Sequence, residues 1–168
     1  MPRRSPDAPL DKRALVTHIL EALSRELDTQ RAAAEASQLA ATHEESRPEN
    51  DKDTRALEAS YLARGQAMRV EETAEAIGRM KFFELRSFGP DDEIGLSALV
   101  TLEDDDGEMR CFLAPAAGGT EIEFGGNRIR VVTPASPLGR ALLEKCVGDE
   151  AVVTVRGVKR TYEVVRVD

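Results

Sequence analysis

The chain has 168 residues, of which 31 are acidic and 23 basic, and it contains no tryptophan. The resulting net charge of −8 excludes a stand-alone duplex binder, because neutralising phosphates takes an excess of Lys and Arg. With 32% charged and only 4% aromatic residues, the composition points away from a compact α/β enzyme and toward long, solvent-washed helix.

No apolar run approaches the roughly 20 residues that a membrane span needs, and the opening Met1-Pro2-Arg3-Arg4 has no apolar core of a secretory signal. The isolated Cys111 and Cys146 offer neither a disulfide framework nor a Cys-rich metal site, so a reducing cytoplasm is the expected compartment.

From Leu10 to Met80 there are only two glycines, Gly65 and Gly78, and one proline, Pro48. Acidic and proline start signals at Asp7, Pro9 and Asp11 precede a first helix. Its seam runs Val16, Leu20, Leu23, Leu27, Gln30, Ala34, Ser37 and Ala41, at alternating steps of four and three. A second helix repeats those steps in Ala56, Ser60, Ala63, Ala67, Val70, Ala74 and Ile77. Pro48 disfavours helix at Arg47, and Asp53 or Thr54 can cap the second helix. The expected product over 10–80 is an antiparallel coiled-coil hairpin, with its turn near Arg47–Asn50 and an acidic tip over 44–53. Each arm spans roughly 45–50 Å at the helical rise.

Residues 81–90 read as a linker ending in the Gly89-Pro90 turn. Beyond it, over 91–168, short β-branched runs alternate with turns. Leu99–Leu102 and Met109–Leu113 flank an Asp-Gly turn, and Glu121–Phe124 and Ile129–Val132 flank Gly125-Gly126-Asn127. Ser136 caps a short helix through Lys145, with Pro137 at its first position and Gly148 just beyond its end. Ala151–Val155 and Thr161–Val167 close a strand pair around Arg156-Gly157. The fold class is α+β: the helical hairpin, then a small antiparallel sheet with one helix.

The segment Val132–Glu150, in which Ser136-Pro137-Leu138-Gly139-Arg140-Ala141-Leu142-Leu143 leads to Val147-Gly148-Asp149, resembles the Gre family of bacterial transcript-cleavage factors, GreA/GreB. Tyr162-Glu163-Val164-Val165 and the tip's Pro48-Glu49-Asn50 resemble the same family, and the likeness runs from about residue 10 to 168. It implies a C-terminal domain similar to FK506-binding proteins (FKBP-like) that docks at the mouth of the secondary channel of RNA polymerase, through Ser136, Pro137 and Leu138. It also implies that the hairpin reaches down the channel to the RNA, as a monomer in the cytoplasm. There the tip lends carboxylates to the polymerase's own Mg²⁺ chemistry, with no cofactor and no enzymatic activity of its own.

On that resemblance Glu49 and Asn50 act in cleavage and Glu49 ligates Mg²⁺. Glu45, one residue from the family's acid position and longer than its neighbour Ser46, is taken for the same two roles in its stead, with Glu44, Asp51 and Asp53 in reserve. Hard Mg²⁺ favours carboxylate oxygens and keeps several waters, so one or two side chains suffice. The chain departs from the family three residues before Glu49, where Ser46 stands in place of an acid.

Other readings stay open. A channel-binding regulator without cleavage activity fits Ser46. A coiled-coil adaptor that dimerises through the rod is a further alternative, against which Pro48 and the two matched half-length seams favour an intrachain hairpin. Prolyl isomerase activity is disfavoured, because the C-terminal half offers only Phe88, Phe112, Phe124 and Tyr162 to line a pocket. His43 and His18 lie far apart in sequence, which argues against a histidine metal site. The tip acids taken alone, and the capped helix taken alone, are also ordinary surface and core features.

Overall fold

The computed structural model describes residues 10–45 and 52–168, with side chains apart from 41, 43–45, 52–53 and 55–56. The chain divides into two compact units: Leu20–Gly78, and the described residues up to Ile19 joined with Arg79–Asp168.

Two helices supply the first unit, α1 (Lys12–Glu45) and α2 (Lys52–Phe82). Helix α1 starts at Asp11, whose carboxylate accepts from the backbone N–H groups of Arg13 and Ala14 at 3.0 and 3.1 Å. This satisfies two of the donors that a helix start leaves orphaned. Within α1, the hydroxyls of Thr17, Ser24 and Thr29 donate to carbonyls four residues back, so these residues do not break the helix. Leu23 and Leu27 are buried, and Leu20, Gln30, Ala34 and Ser37 are half-buried, as the expected first seam requires.

The second seam is placed differently from the sequence expectation. Ala63, Val70 and Ile77 do turn inward, but Ser60, Ala67 and Ala74 are exposed. Their places are taken by Ala59, Gln66 and Thr73. A polar pair fixes this choice: the Thr73 hydroxyl donates to Gln30 Oε1 at 2.8 Å, across the two helices. Small residues therefore face water, while the Thr73–Gln30 pair and the Gln66 side chain lie inside.

In the second unit, six strands form one sheet: β1 (Leu99–Asp104), β2 (Gly107–Leu113), β3 (Glu121–Phe124), β4 (Asn127–Val132), β5 (Glu150–Val155) and β6 (Val158–Val167). Their spatial order is β3-β4-β2-β1-β6-β5. The sheet is mixed rather than wholly antiparallel, because β2 and β4 run parallel, with Arg110 opposite Ile129 and Leu113 opposite Val132. The turn over 115–119 and strand β3 carry the chain across before β4 returns beside β2. The β3–β4 and β5–β6 hairpins close through Gly125-Gly126 and Arg156-Gly157, whose φ values are all positive, between 52° and 81°. Two consecutive positive-φ residues are what a two-residue hairpin of the twist-matched kind demands.

Both faces of the sheet are covered. On one, Val100, Leu102, Cys111, Leu113, Val132 and Val164 pack with Leu142 of helix α3 (Pro137–Leu142). On the other, Leu99, Phe112, Ile129 and Val131 are buried as well. That face meets elements from the other end of the chain. The Phe83 ring lies edge-on to Phe112 at 6.2 Å, the His18 ring lies 5.9 Å from Phe124, and the Leu10 side chain presses on Gly125. Central strand β1 is therefore buried continuously over Leu99–Leu102, Thr101 included, instead of in alternation.

The stretch expected to be a linker is fastened to the sheet. Arg86 N–H donates to the Ser97 hydroxyl at 2.7 Å, and both the Lys12 ammonium and the Arg86 guanidinium lie over the Phe88 ring, at 4.8 and 5.2 Å. Ile94 and the residues after α3 exchange backbone bonds, Ile94 N–H to Lys145 O and Glu144 N–H to Ile94 O.

Candidate functional site

Two places carry the candidate residues, and each is built differently. At the tip, helix α1 ends at Glu45 and α2 begins at Lys52. Glu45 is therefore the last residue of α1, with Glu44 before it, and Asp53 is the second residue of α2. The expected turn at Arg47–Asn50, with Ser46, Glu49, Asn50 and Asp51, lies outside the described residues, as do the side chains of Glu44, Glu45 and Asp53. Among the described residues no three His, Cys, Asp or Glu side chains are grouped to hold a metal ion.

Between Glu44 and Asp53 stand five carboxylates, one histidine at its edge and no cysteine. Such an oxygen-rich set suits a hard divalent cation such as Mg²⁺ and does not suit a soft one.

The second place is the turn leading into α3. Ser136 sits in extended backbone (φ −70°, ψ 155°) and caps the helix. Its hydroxyl accepts from Gly139 N–H at 3.0 Å and donates to the Thr133 carbonyl at 2.8 Å. The Ser136 N–H donates to the same carbonyl at 3.0 Å. Pro137 follows at the first helical position, where its missing N–H costs nothing. Ala135 and Pro137 are exposed and Ser136 is half-buried, so this corner offers a small, mostly apolar edge with one hydroxyl. Leu138 differs from its two neighbours in that its side chain packs against the core cluster. The structure thus brings Ser136 and Pro137 together at the surface and turns Leu138 inward.

Helix α3 is shorter than the sequence suggests. It ends at Leu142; Leu143 leaves the helical region and Glu144 takes a positive φ of 63°. The chain is diverted there because Glu144 and Lys145 bond back to Ile94. The Val147-Gly148-Asp149 segment then has a structural task. The Asp149 carboxylate accepts from Cys146 N–H at 2.8 Å, and the backbone of Gly148 and Asp149 exchanges bonds with Val164. This motif fixes the entry to β5.

The two thiols have different surroundings. Burial pushes the Cys111 thiol up to about 12, against a smaller opposing pull from Arg130. Partial desolvation and the carboxylates of Asp149, Glu93, Asp91 and Asp92 also raise Cys146. Neither thiol has the depressed value of a nucleophile.

Two positions escaped the sequence reading. One is Gly139, whose close approach to Thr133 a side chain would forbid: an added Cβ would lie 1.9 Å from the Thr133 carbonyl oxygen. The signal was a glycine inside a helix start, where it weakens the helix without a local reason. The other is Lys12, an inconspicuous cation in the first turn of α1 that no sequence signal singles out.

The family model "Transcription elongation factor, GreA/GreB, C-term" matches residues 89–168. The chain is 33% identical over 119 residues to the transcription elongation factor GreA of Mesorhizobium japonicum, covering 71% of each protein. It is 32% identical over 100 residues to that of Rickettsia canadensis, covering 60% of this chain and 59% of the relative, so the match spans less than two thirds of the latter's length. Among solved structures, the GreA factor homolog 1 (Gfh1) of Thermus thermophilus aligns with 89% of this chain and 94% of its own, at 21% identity and a TM-score of 0.37. On the strength of the sequence matches, the chain belongs to the GreA/GreB family of transcription elongation factors.

Proposed function

We propose that this protein acts on bacterial RNA polymerase as a transcript-cleavage factor. The sheet unit docks at the entrance of the secondary channel through the Ser136–Pro137 corner. The helical hairpin carries Glu45, Glu49 and Asn50 toward the polymerase's catalytic centre. The observation that carries the reading is the pairing of a family-type C-terminal segment with Glu49-Asn50 in the acidic stretch that joins two long helices in the sequence.

The chain's own contribution is to place carboxylates. Glu45 ends α1 and Glu49 follows it by four residues, so both belong to one short stretch of chain. Bound there, Mg²⁺ would supply the two-metal stabilisation of attacking and leaving oxygens during RNA hydrolysis. The protein supplies no complete active site and works with the polymerase's, in the cytoplasm and as a monomer.

A second reading is favoured by one observation, Ser46 where the family carries an acid. A serine hydroxyl cannot replace an anionic Mg²⁺ ligand, and a tip so altered would occupy the channel without promoting cleavage. An RNA cleavage assay on backtracked polymerase with Mg²⁺ separates the two. Stimulated cleavage supports the first reading. Binding to polymerase without stimulation supports the second, and absence of binding removes both.

A further inference from the structure

We infer that Gly139 is a positioning residue for the docking corner, acting through Thr133; this rests on the docking reading above. Thr133 is gripped from two sides. Its carbonyl oxygen accepts from the Ser136 N–H and the Ser136 hydroxyl, at 3.0 and 2.8 Å. The same carbonyl lies so close to Gly139 that an added Cβ would stand 1.9 Å from the oxygen and 2.7 Å from the carbonyl carbon. On its other side, the Thr133 side chain faces Gly118, where a Cβ would meet Thr133 Cγ2 at 3.0 Å and Oγ1 at 3.3 Å.

Gly118, Thr133 and Gly139 therefore form a stack with no spare room. Gly118 lies in the loop between β2 and β3, Thr133 follows β4, and Gly139 belongs to α3. Two of the three contacts at Gly139 are with backbone atoms, which a rotamer change cannot move aside. The stack sets the height of the 133–137 turn above the sheet, and with it the place of Ser136 and Pro137. A binding edge held only by its own exposed residues would lose precision; here the precision comes from beneath.

Three measurements test this: affinity for RNA polymerase, urea midpoint, and folded content by circular dichroism. Gly139→Ala adds one methyl group that the Thr133 carbonyl must move to admit. The expected result is a folded protein that binds polymerase about tenfold more weakly or worse. Ile122→Ala, which opens a cavity on β3 away from the corner, serves as the matched control. It should lower the urea midpoint at least as much and bind like wild type. Should Gly139→Ala fail to fold, Thr133→Gly loosens the stack without adding an atom, and about threefold weaker binding is expected. Wild-type affinity in folded Gly139→Ala, or in Thr133→Gly, overturns the positioning role while leaving the docking reading intact. Equal loss of binding in Ile122→Ala also overturns it, since the effect would then follow stability alone. Failure of the wild-type protein to bind polymerase overturns the docking reading itself.

Discussion

The Lys12 ammonium donates to the backbone carbonyl of Asp168 at 2.9 Å, joining the first turn of α1 to the residue after β6. The same ammonium donates to the carbonyls of Ser97, at 3.1 Å, and of Arg86. One cation thus collects three segments: the stretch after α2, the turn before β1, and the end of the last strand. Ser97 is fully buried with a φ of 71°, and every polar group it has is used. Its N–H donates to Leu113 O, its hydroxyl accepts from Arg86 N–H, and its carbonyl takes Lys12. Burial lowers the pKa of Lys12, and the Asp168 carboxylate partly offsets that shift.

Replacing Lys12 by Met keeps the aliphatic stem and removes the three donors. Carbonyls that are partly withdrawn from water then lose their partner, at a cost of about 1–3 kcal/mol. A fall of that size in urea-unfolding free energy is expected, with the sheet unit's near-ultraviolet signal affected. An unchanged midpoint would mean that water replaces the ammonium at no cost.

The helical seam gives a sharper test of register. Ala67 and Ala74 are exposed, so Lys at either should change stability by no more than about 0.5 kcal/mol. Gln66 occupies the seam, and its Oε1 is enclosed with no hydrogen-bond partner among the described residues. Gln66→Leu should therefore stabilise the helices by about 1–2 kcal/mol, because a desolvated oxygen is removed and apolar surface is gained. Helix melting followed at 222 nm reads both results; destabilisation by Gln66→Leu would place residue 66 outside the seam.

Alkaline conditions should weaken the sheet unit through Cys111. In the folded protein the thiol is pushed up from 9.0 to about 12 by burial, and unfolding releases it to its ordinary value. A folded pKa raised above the unfolded one contributes stability that is complete below about 9 and is lost as pH rises toward 12. Across that window the unfolded state sheds one proton that the folded state keeps, so this group's slope approaches about −1.4 kcal/mol per pH unit. Cys111→Ala should flatten the curve of stability against pH above 9 relative to wild type, whatever its effect at neutral pH. Parallel curves for the two proteins would show that the thiol ionises with equal ease in both states.

Much of this architecture was legible in the residues, and the exceptions have physical causes. Steps of four and three gave the helices, and Gly-rich turns gave the hairpins, because both signals are local. The second seam was misplaced because Ser60, Ala67 and Ala74 look better suited to close packing than Gln66 and Thr73. Only the partner Gln30, 43 residues away from Thr73, makes the polar choice sensible. The parallel β2–β4 pair and the covering of the sheet's second face by Leu10, His18 and Phe83 are long-range facts that no window of sequence contains. At the candidate site, the cap at Ser136 was readable from Ser-Pro, whereas the stack beneath it needed three segments brought together.

The tip separates the acids by their place in the chain. Glu45 is the last residue of α1, whereas Glu49 follows it four residues later in the sequence. With Ser46 unable to ligate Mg²⁺ as an anion, Glu45 is the nearest carboxylate on the α1 side. If the tip works as proposed, Glu49→Ala should abolish stimulated RNA cleavage, and Glu45→Ala should lower it by about tenfold or more, with polymerase affinity unchanged in both. Raising Mg²⁺ should restore part of the Glu45→Ala activity, because a lost ligand weakens occupancy before it removes chemistry. Ser46→Asp should raise activity by restoring a carboxylate at the family position. Cleavage by Glu45→Ala at the wild-type rate, together with a silent Ser46→Asp, would move the second ligand to Glu44, Asp51 or Asp53. Normal cleavage by Glu49→Ala would remove the tip assignment altogether.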